Sequence, residues 1–335
     1  MKRLHILVSL LLVVAMVALT PSAQAQKKKA KLKDKPAEEQ KVRPPGIWLS
    51  DTGNGRIVYM EDMTGKGFTA LGYAGFGLGR FLEPGQVWVD EQGRIYIADT
   101  GNNRVVRVDE MTGRGWVEMG GFNHPGGVCV KGDNVYIADT DNDQILLYDK
   151  WDGKLLFTIK HPEMTQPHQL WLDFRGDLYA TCGEDPPGGK VIHIRQSEDV
   201  FYVHVYRGQG LRTASVAPGQ VVTERRQIYF VDGSFHRLIT IQDIDGKGVR
   251  EEGGYGVDAT QLQRPQGLAI DEEGHLFVAD SGNDRLIRYD AFRPRELLVF
   301  SSTDDPDSQL RNPTSVFVWC PVPPPQPPEE EDTDK

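Results

Sequence analysis

The side chains best suited to hold a metal ion in this 335-residue chain are Glu83, His124 and His168. Imidazole nitrogens and carboxylate oxygens bind zinc, and a catalytic zinc needs three protein ligands and one position left open for water. Glu83 and His124 each precede a proline, whereas His168 follows one, so their offsets differ. Asn312, also before a proline, adds an oxygen. A second group suits recognition without reaction. Gln86, Gln169, Gln220 and Gln266 each lie one or two residues after a proline, and Arg212 and Arg264 lie nearby in the same kind of segment. Amides and guanidinium groups offer directed donors to a polar ligand.

Other chemistries are excluded or weak. Asp243-Ile244-Asp245-Gly246 resembles the opening of a calcium loop, but its twelfth position is Gly254 where a bidentate Glu is needed. Met63-Thr64-Gly65-Lys66-Gly67 and Met111-Thr112-Gly113-Arg114-Gly115 are not phosphate loops, because no Gly-Lys-Ser/Thr follows. There is no Gly-x-Ser-x-Gly and no Cys-x-x-Cys. The three cysteines, Cys129, Cys182 and Cys320, form no disulfide framework. Cys129 reads as a small buried hydrophobe, and one bridge from Cys182 is open in an oxidising compartment.

The elements that position these residues repeat. Six segments run aromatic, apolar, small, then Asp: Trp48–Asp51, Tyr96–Asp99, Tyr136–Asp139, Tyr179–Cys182, Tyr229–Asp232 and Phe277–Asp280, with Cys182 in the place of the fourth Asp. Arg56, Arg104, Arg237 and Arg285 stand eight residues after the aromatic, and Gln144 takes that place in the third copy. A proline-led strand precedes five of them: Pro84–Asp90, Pro125–Val130, Pro167–Asp173, Pro218–Thr223 and Pro265–Asp271. A sixth, Pro313–Trp319, follows the last repeat. Two more strands follow each Arg. Four short antiparallel strands per period make a propeller blade. The first repeat lacks its innermost strand and the last proline strand lacks a blade. Pairing the two closes an all-β, six-bladed β-propeller and leaves no open edge.

The stretches Pro84-Gly85-Gln86-Val87-Trp88-Val89-Asp90 through Asp99-Thr100-Gly101-Asn102-Asn103-Arg104, and Pro265-Gln266-Gly267-Leu268-Ala269-Ile270-Asp271 through Asp280-Ser281-Gly282-Asn283-Asp284-Arg285, resemble NHL repeats. The resemblance covers about residues 44–319. It implies the propeller and says little of function. Some similar propellers carry an axial zinc or calcium. Peptidylglycine amidating lyases use histidines there, and lactonase-like propellers use Glu, Asn and Asp. The resemblance therefore leaves a metal-dependent hydrolase or lyase as the alternative to a non-catalytic scaffold that needs no cofactor and binds a protein, peptide or glycan. Asp51, Asp99, Asp139, Asp232, Asp280 and the four arginines recur in most blades, so they are expected to hold turns, whereas a site breaks the pseudosymmetry. The residues around the strand-opening prolines are expected to ring one mouth of the channel: Gln86, His124, His168, Gln169, Arg212, Gln220, Arg264 and Gln266. Longer loops are expected to add Tyr73, Phe76, Arg80, Phe81, Tyr206, Tyr255 and Arg311. The segment Glu184–Gly189 in the fourth repeat replaces a regular turn on the same face and reads as drift or as a contact device.

The ends differ from the repeats. Lys2 and Arg3, the apolar Leu4–Leu19 and Ala23-Gln24-Ala25 read as a signal peptide over 1–25, cut after Ala25, which predicts a secreted or periplasmic protein. Residues 26–43 are Lys-rich and read as a disordered linker, a solvated spacer or a contact to a membrane or cell-wall polymer. Residues 44–322 form the propeller, and 323–335 read as a disordered Pro/Glu-rich tail. Within 44–322, 27 Lys and Arg face 40 Asp and Glu, a net −13 that disfavours nucleic acid.

Overall fold

Each repeat buries both faces of its second strand. Ile95–Asp99 (IYIAD) is buried at every position, because a neighbouring sheet covers each side. Such strands read as continuous apolar runs closed by the Asp. In a computed structural model, residues 45–173, 175–183, 189–197, 200–206, 214–218, 227–290 and 297–319 are described. They belong to one compact unit, Lys41–Lys335.

The described residues form six four-stranded antiparallel sheets, here blades 1 to 6 with strands a to d from the axis outward. Blade 2 is Pro84–Val89, Ile95–Asp99, Arg104–Val108 and Val117–Gly120. Blade 3 is Pro125–Lys131, Asn134–Asp139, Gln144–Tyr148 and Leu155–Ile159. Blade 4 is Pro167–Leu172, Leu178–Cys182, Lys190–Ser197 and Val200–Tyr206. Blade 5 is Ala214–Pro218, Ile228–Asp232, Arg237–Ile241 and Arg250–Gly253, and blade 6 is Gly267–Ile270, His275–Asp280, Arg285–Asp290 and Leu298–Phe300. Blade 1 is the clasp. Pro313–Trp319 supplies strand a beside Gly46–Asp51, Arg56–Met60 and Thr69–Leu71, with Trp48 opposite Phe317 and Asp51 opposite Pro313. The two ends of the propeller thus close one sheet, as its repeat count requires.

Strand 5a departs from expectation. Of the expected proline-led strand Pro218–Thr223, only Pro218 lies within the described residues. The strand is Ala214–Pro218, with Ala214 opposite Asp232 and Pro218 opposite Ile228. In blades 1 to 4 the proline sits opposite the residue that ends strand b. In blade 5 Pro218 sits at the other end of its strand, opposite Ile228. Two loop aromatics also move. Phe81 is wholly buried, its ring 5.2 Å from that of Trp116. Tyr206 packs edge-on against Phe230 and lies against the turn at Gly246. By contrast Tyr73, Phe76 and Tyr255 are exposed. Cys129 and Cys182 are buried free thiols.

Candidate functional site

The recurring Asp is a hub between a blade and the loop that enters it. One oxygen of Asp51, Asp99 and Asp280 takes the Arg56, Arg104 or Arg285 Nε–H at 2.7 Å. Each also takes an Asn side-chain N–H: Asn54, Asn102 and Asn283. The other oxygen accepts a backbone N–H of the incoming loop: Arg311 to Asp51, Leu82 to Asp99, Asn123 to Asp139 and Gln263 to Asp280. The arginines donate onward to carbonyls of the same loop, as Arg104 does to Gly77 and Arg80. Gln144 serves Asp139 in place of an arginine, at 2.6 Å. Burial pushes the Asp51, Asp99 and Asp232 carboxyls above their ordinary range even though the arginines pull down. These residues are structural, as their recurrence implies.

A hydroxyl after the Asp joins each such blade to the next. Thr52 donates to the Pro84 carbonyl at 2.7 Å, Thr100 to Pro125 at 2.8 Å, Thr140 to Pro167 at 2.7 Å and Ser281 to Pro313 at 2.5 Å. This latch ties blade 1 to 2, 2 to 3, 3 to 4 and 6 to 1. Blades 4 and 5 carry Gly183 and Gly233 at that position, so neither has the hydroxyl.

The axis is closed by glutamines and aromatics. Buried Gln86 donates to the Leu170 carbonyl at 2.6 Å and accepts the Leu170 and Val128 N–H groups at 2.9 and 3.2 Å. It thereby stitches the inner strands of blades 2, 3 and 4. Gly127 permits this approach, because a Cβ there would stand 2.7 Å from Gln86 Oε1 and collide with the His168 carbonyl. Gln169 donates to the Thr314 carbonyl at 2.8 Å, reaching from blade 4 to blade 1 on the opposite side of the ring. Deeper along the same strands Trp88 meets Trp171 and Phe317 edge-on at 5.4 and 5.1 Å. Among the described residues these contacts floor the mouth between blades 1, 2, 3 and 4.

That cavity has a volume of about 720 Å³. Of the residues expected at the mouth, it brings together Glu83, His168, Gln169, Arg264 and Gln266. Gln86 lies behind the floor, consumed by backbone groups, and is not a rim residue. His124 is turned outward, its Nδ1 2.6 Å from Asp141 Oδ2, and does not line the cavity. Arg212, Gln220 and most of Glu184–Gly189 lie outside the described residues. Thr181, Cys182, Gly233, Ser234, His236 and Asn312 also line it. Most of these come from the side where the latch lapses. Desolvation pushes the Cys182 thiol far above its ordinary range, so it lines the cavity as an apolar group. His236 was detectable in the sequence. It stands four residues after Asp232, where Asn103, Asp143 and Asp284 follow their own Asp. Each accepts the N–H of the residue before the next blade's proline: Asn103 from His124, Asp143 from Gln166, His236 Nδ1 from Arg264 and Asp284 from Asn312. Acceptance at Nδ1 places the imidazole proton on Nε2. Those pre-proline residues are left-handed, with φ between 45° and 50° at Glu83, His124, Gln166, Arg264 and Asn312. An extended backbone is the rule before proline, so the hydrogen bonds hold a strained ring of side chains.

Glu83, His124 and His168 do not converge as metal ligands. Among the described residues, the group whose ligand atoms lie within 4.8 Å of one another is Asp271, Glu273 and His275. It sits in the turn between strands a and b of blade 6, on the opposite face. Its Asp271 already accepts the Glu273 and His275 N–H groups and contacts His275 Nδ1 at 2.8 Å. Glu83 and His124 occupy one position of different blades, which spreads them around the ring. Among the described residues, no three His, Cys, Asp or Glu side chains converge at the axis.

Fold and site together define a six-bladed β-propeller with a polar cavity at one mouth. The chain belongs to the SMP-30/gluconolactonase/LRE-like family, whose pattern matches residues 82–295. The resemblance to NHL repeats describes the local residues of the blades within that wider group of propellers. Among solved structures, a nidogen/laminin complex matches with a TM-score of 0.62 at 16% identity, over 82% of this chain and 99% of that one. A streptogramin B lyase matches at 0.56 and 14%, over 83% and 88%. A catalytically inactive histidine variant of virginiamycin B lyase from Staphylococcus aureus, with quinupristin, matches at 0.52 and 16%, over 80% and 87%. At these identities the likeness is one of fold.

Proposed function

We propose that this chain is an exported binding protein that takes a polar ligand, part of a protein, peptide or glycan, in the mouth cavity without a metal or other cofactor. The observation that carries this reading is the position of the cavity. It lies at the mouth of the axis, where residues that differ from blade to blade, such as Glu83, His168, Ser234 and Arg264, stand beside the recurring Thr52 and Thr100. Its walls offer Arg264, Gln266, Ser234, His236, Glu83 and Asn312, and its size is that of ordinary ligand sites, roughly 300–1,000 Å³. The neighbouring solved structures include one in a protein complex and one with a bound antibiotic, so both kinds of occupant suit the fold. Membership of a family whose name includes a gluconolactonase, with two histidines in the cavity, supports catalysis as a second reading. His236 then has the tautomer of a donor. The test is ligand retention by the full chain against a Gln266→Trp variant, whose indole would fill the cavity. Ligand captured from a polar small-molecule and peptide library should be lost in the variant at unchanged stability. Equal retention would remove the mouth as the site.

A further inference from the structure

The rim carries an ordered set of charges. The residues before the opening prolines of blades 2, 1 and 6, three successive blades, are Glu83, Asn312 and Arg264. All three line the cavity and all three are left-handed. The Glu83 and Arg264 side chains are exposed. Among the described residues neither side chain makes a hydrogen bond or an ion pair. By contrast the recurring Arg56, Arg104, Arg237 and Arg285 all pair with a buried Asp. Arg264 is nevertheless fixed at its backbone, where its N–H is held by His236 Nδ1 at 3.0 Å. The rim thus reads acid, amide, cation in order around an arc, each on a constrained backbone and with its head group unused.

We infer that the mouth takes a short zwitterionic peptide, its ammonium at Glu83, an amide at Asn312 and its carboxylate at Arg264. Gln266 and Ser234 on the same wall add neutral donors and acceptors for a second peptide group. A carboxylate accepts two parallel N–H bonds from a guanidinium, and an ammonium donates to a carboxylate, so the two ends cannot exchange. An extended tripeptide spans about 10 Å, and the cavity it would enter has a volume of about 720 Å³. His236 is a positioning residue in this scheme, since it holds the Arg264 backbone. This inference rests on the mouth being the binding site and adds the ligand class.

The experiment titrates the full-length chain calorimetrically with trialanine, N-acetyl-trialanine and trialanine amide. Each is repeated on Glu83→Gln, Arg264→Gln and Gln266→Trp. Trialanine should bind, and blocking either end should weaken it about tenfold or more. Amidation should cost nothing further in Arg264→Gln, and acetylation nothing further in Glu83→Gln. If the blocked peptides bind the wild type as well as trialanine and Gln266→Trp abolishes all three, the mouth reading stands and the zwitterion is wrong. If the wild type binds no trialanine, the zwitterion is wrong and the library capture above decides the mouth. Thermal midpoints within a few degrees of wild type establish that each variant is folded.

Discussion

The arc from blade 6 through blades 1, 2 and 3 and the arc of blades 4 and 5 are built from the same repeat and are held differently. In the first arc every blade carries the hydroxyl that reaches the next blade's proline carbonyl. Each has a wholly buried Asp that pins the entering loop. In blade 4 the Asp has become Cys182, opposite Pro167, and in blade 5 Asp232 meets Arg237 only at 3.2–3.3 Å. Both arcs line the cavity, the first with Thr52, Glu83 and Thr100 and the second with Thr181, Cys182, Ser234 and His236. A feature repeated around a ring serves the ring, and a ligand site needs the places where repetition stops.

The sharpest way to break this contrast is to remove the hub in each arc. Asp99→Ala leaves Arg104 with Glu118 as its remaining carboxylate partner, beside the Gly77 and Arg80 carbonyls, and frees the Leu82 N–H. It should cost about 3–5 kcal/mol, the usual penalty for half of a buried pair. Asp232→Ala should cost about half as much, given its longer contacts. Urea midpoints measured on both would show this, and equal losses would erase the distinction. Next in size is Gln86→Leu, which strands two N–H groups and one carbonyl of blades 3 and 4. We expect about 2–4 kcal/mol from the same denaturation. A loss below about 1 kcal/mol would show that the stitch across the axis contributes nothing net.

Smaller effects sharpen the comparison. Thr100→Val should cost about 1 kcal/mol, whereas Gly233→Thr should install the missing latch toward Pro265. It should raise the midpoint by a similar or smaller amount while reducing ligand retention, because the hydroxyl and methyl enter the cavity. A stabilised variant that still binds fully would separate the latch from the site. The smallest expected effect is on pH dependence. Burial raises the Asp177 carboxyl, but hydrogen bonds from Arg195 and His193 outweigh it and leave it below its ordinary range. A lowered folded value means stabilisation present above the unfolded value near pH 4 and lost as pH falls through the folded one. Asp51, Asp99 and Asp232 have the opposite sign. Their raised values mean that stability present in acid is lost as pH rises through them. Asp177→Asn should therefore flatten the acid side of the stability curve between about pH 2 and 5, followed by tryptophan fluorescence.

Much of this was legible in the residues. The Asp-to-Arg spacing located the turns between strands b and c of blades 1, 2, 5 and 6, and the unpaired Pro313–Trp319 foretold the clasp. Glu83, His168, Gln169, Arg264 and Gln266 were placed at the mouth by their distance from a proline. The same rule failed at Gln86, since an amide two residues inside a strand is drawn to backbone groups of neighbouring blades. It failed at Pro218 because a proline is tolerated at either end of an inner strand whose channel edge is unpaired. His124 was misassigned to a ligand set because nothing local shows that Asp141, one turn away in the ring, would claim it.

What the chain determined by itself is the blade. Strand alternation, turn residues and the buried Asp act over a few residues, and their period counts six. What only the tertiary structure decided is the cavity. Its floor depends on Gln169 meeting Thr314, 145 positions away, and its wall draws residues from all six blades. Contacts between blades on opposite sides of a ring leave no periodic trace in sequence, because each is made once, by side chains whose neighbours in the chain follow the common pattern.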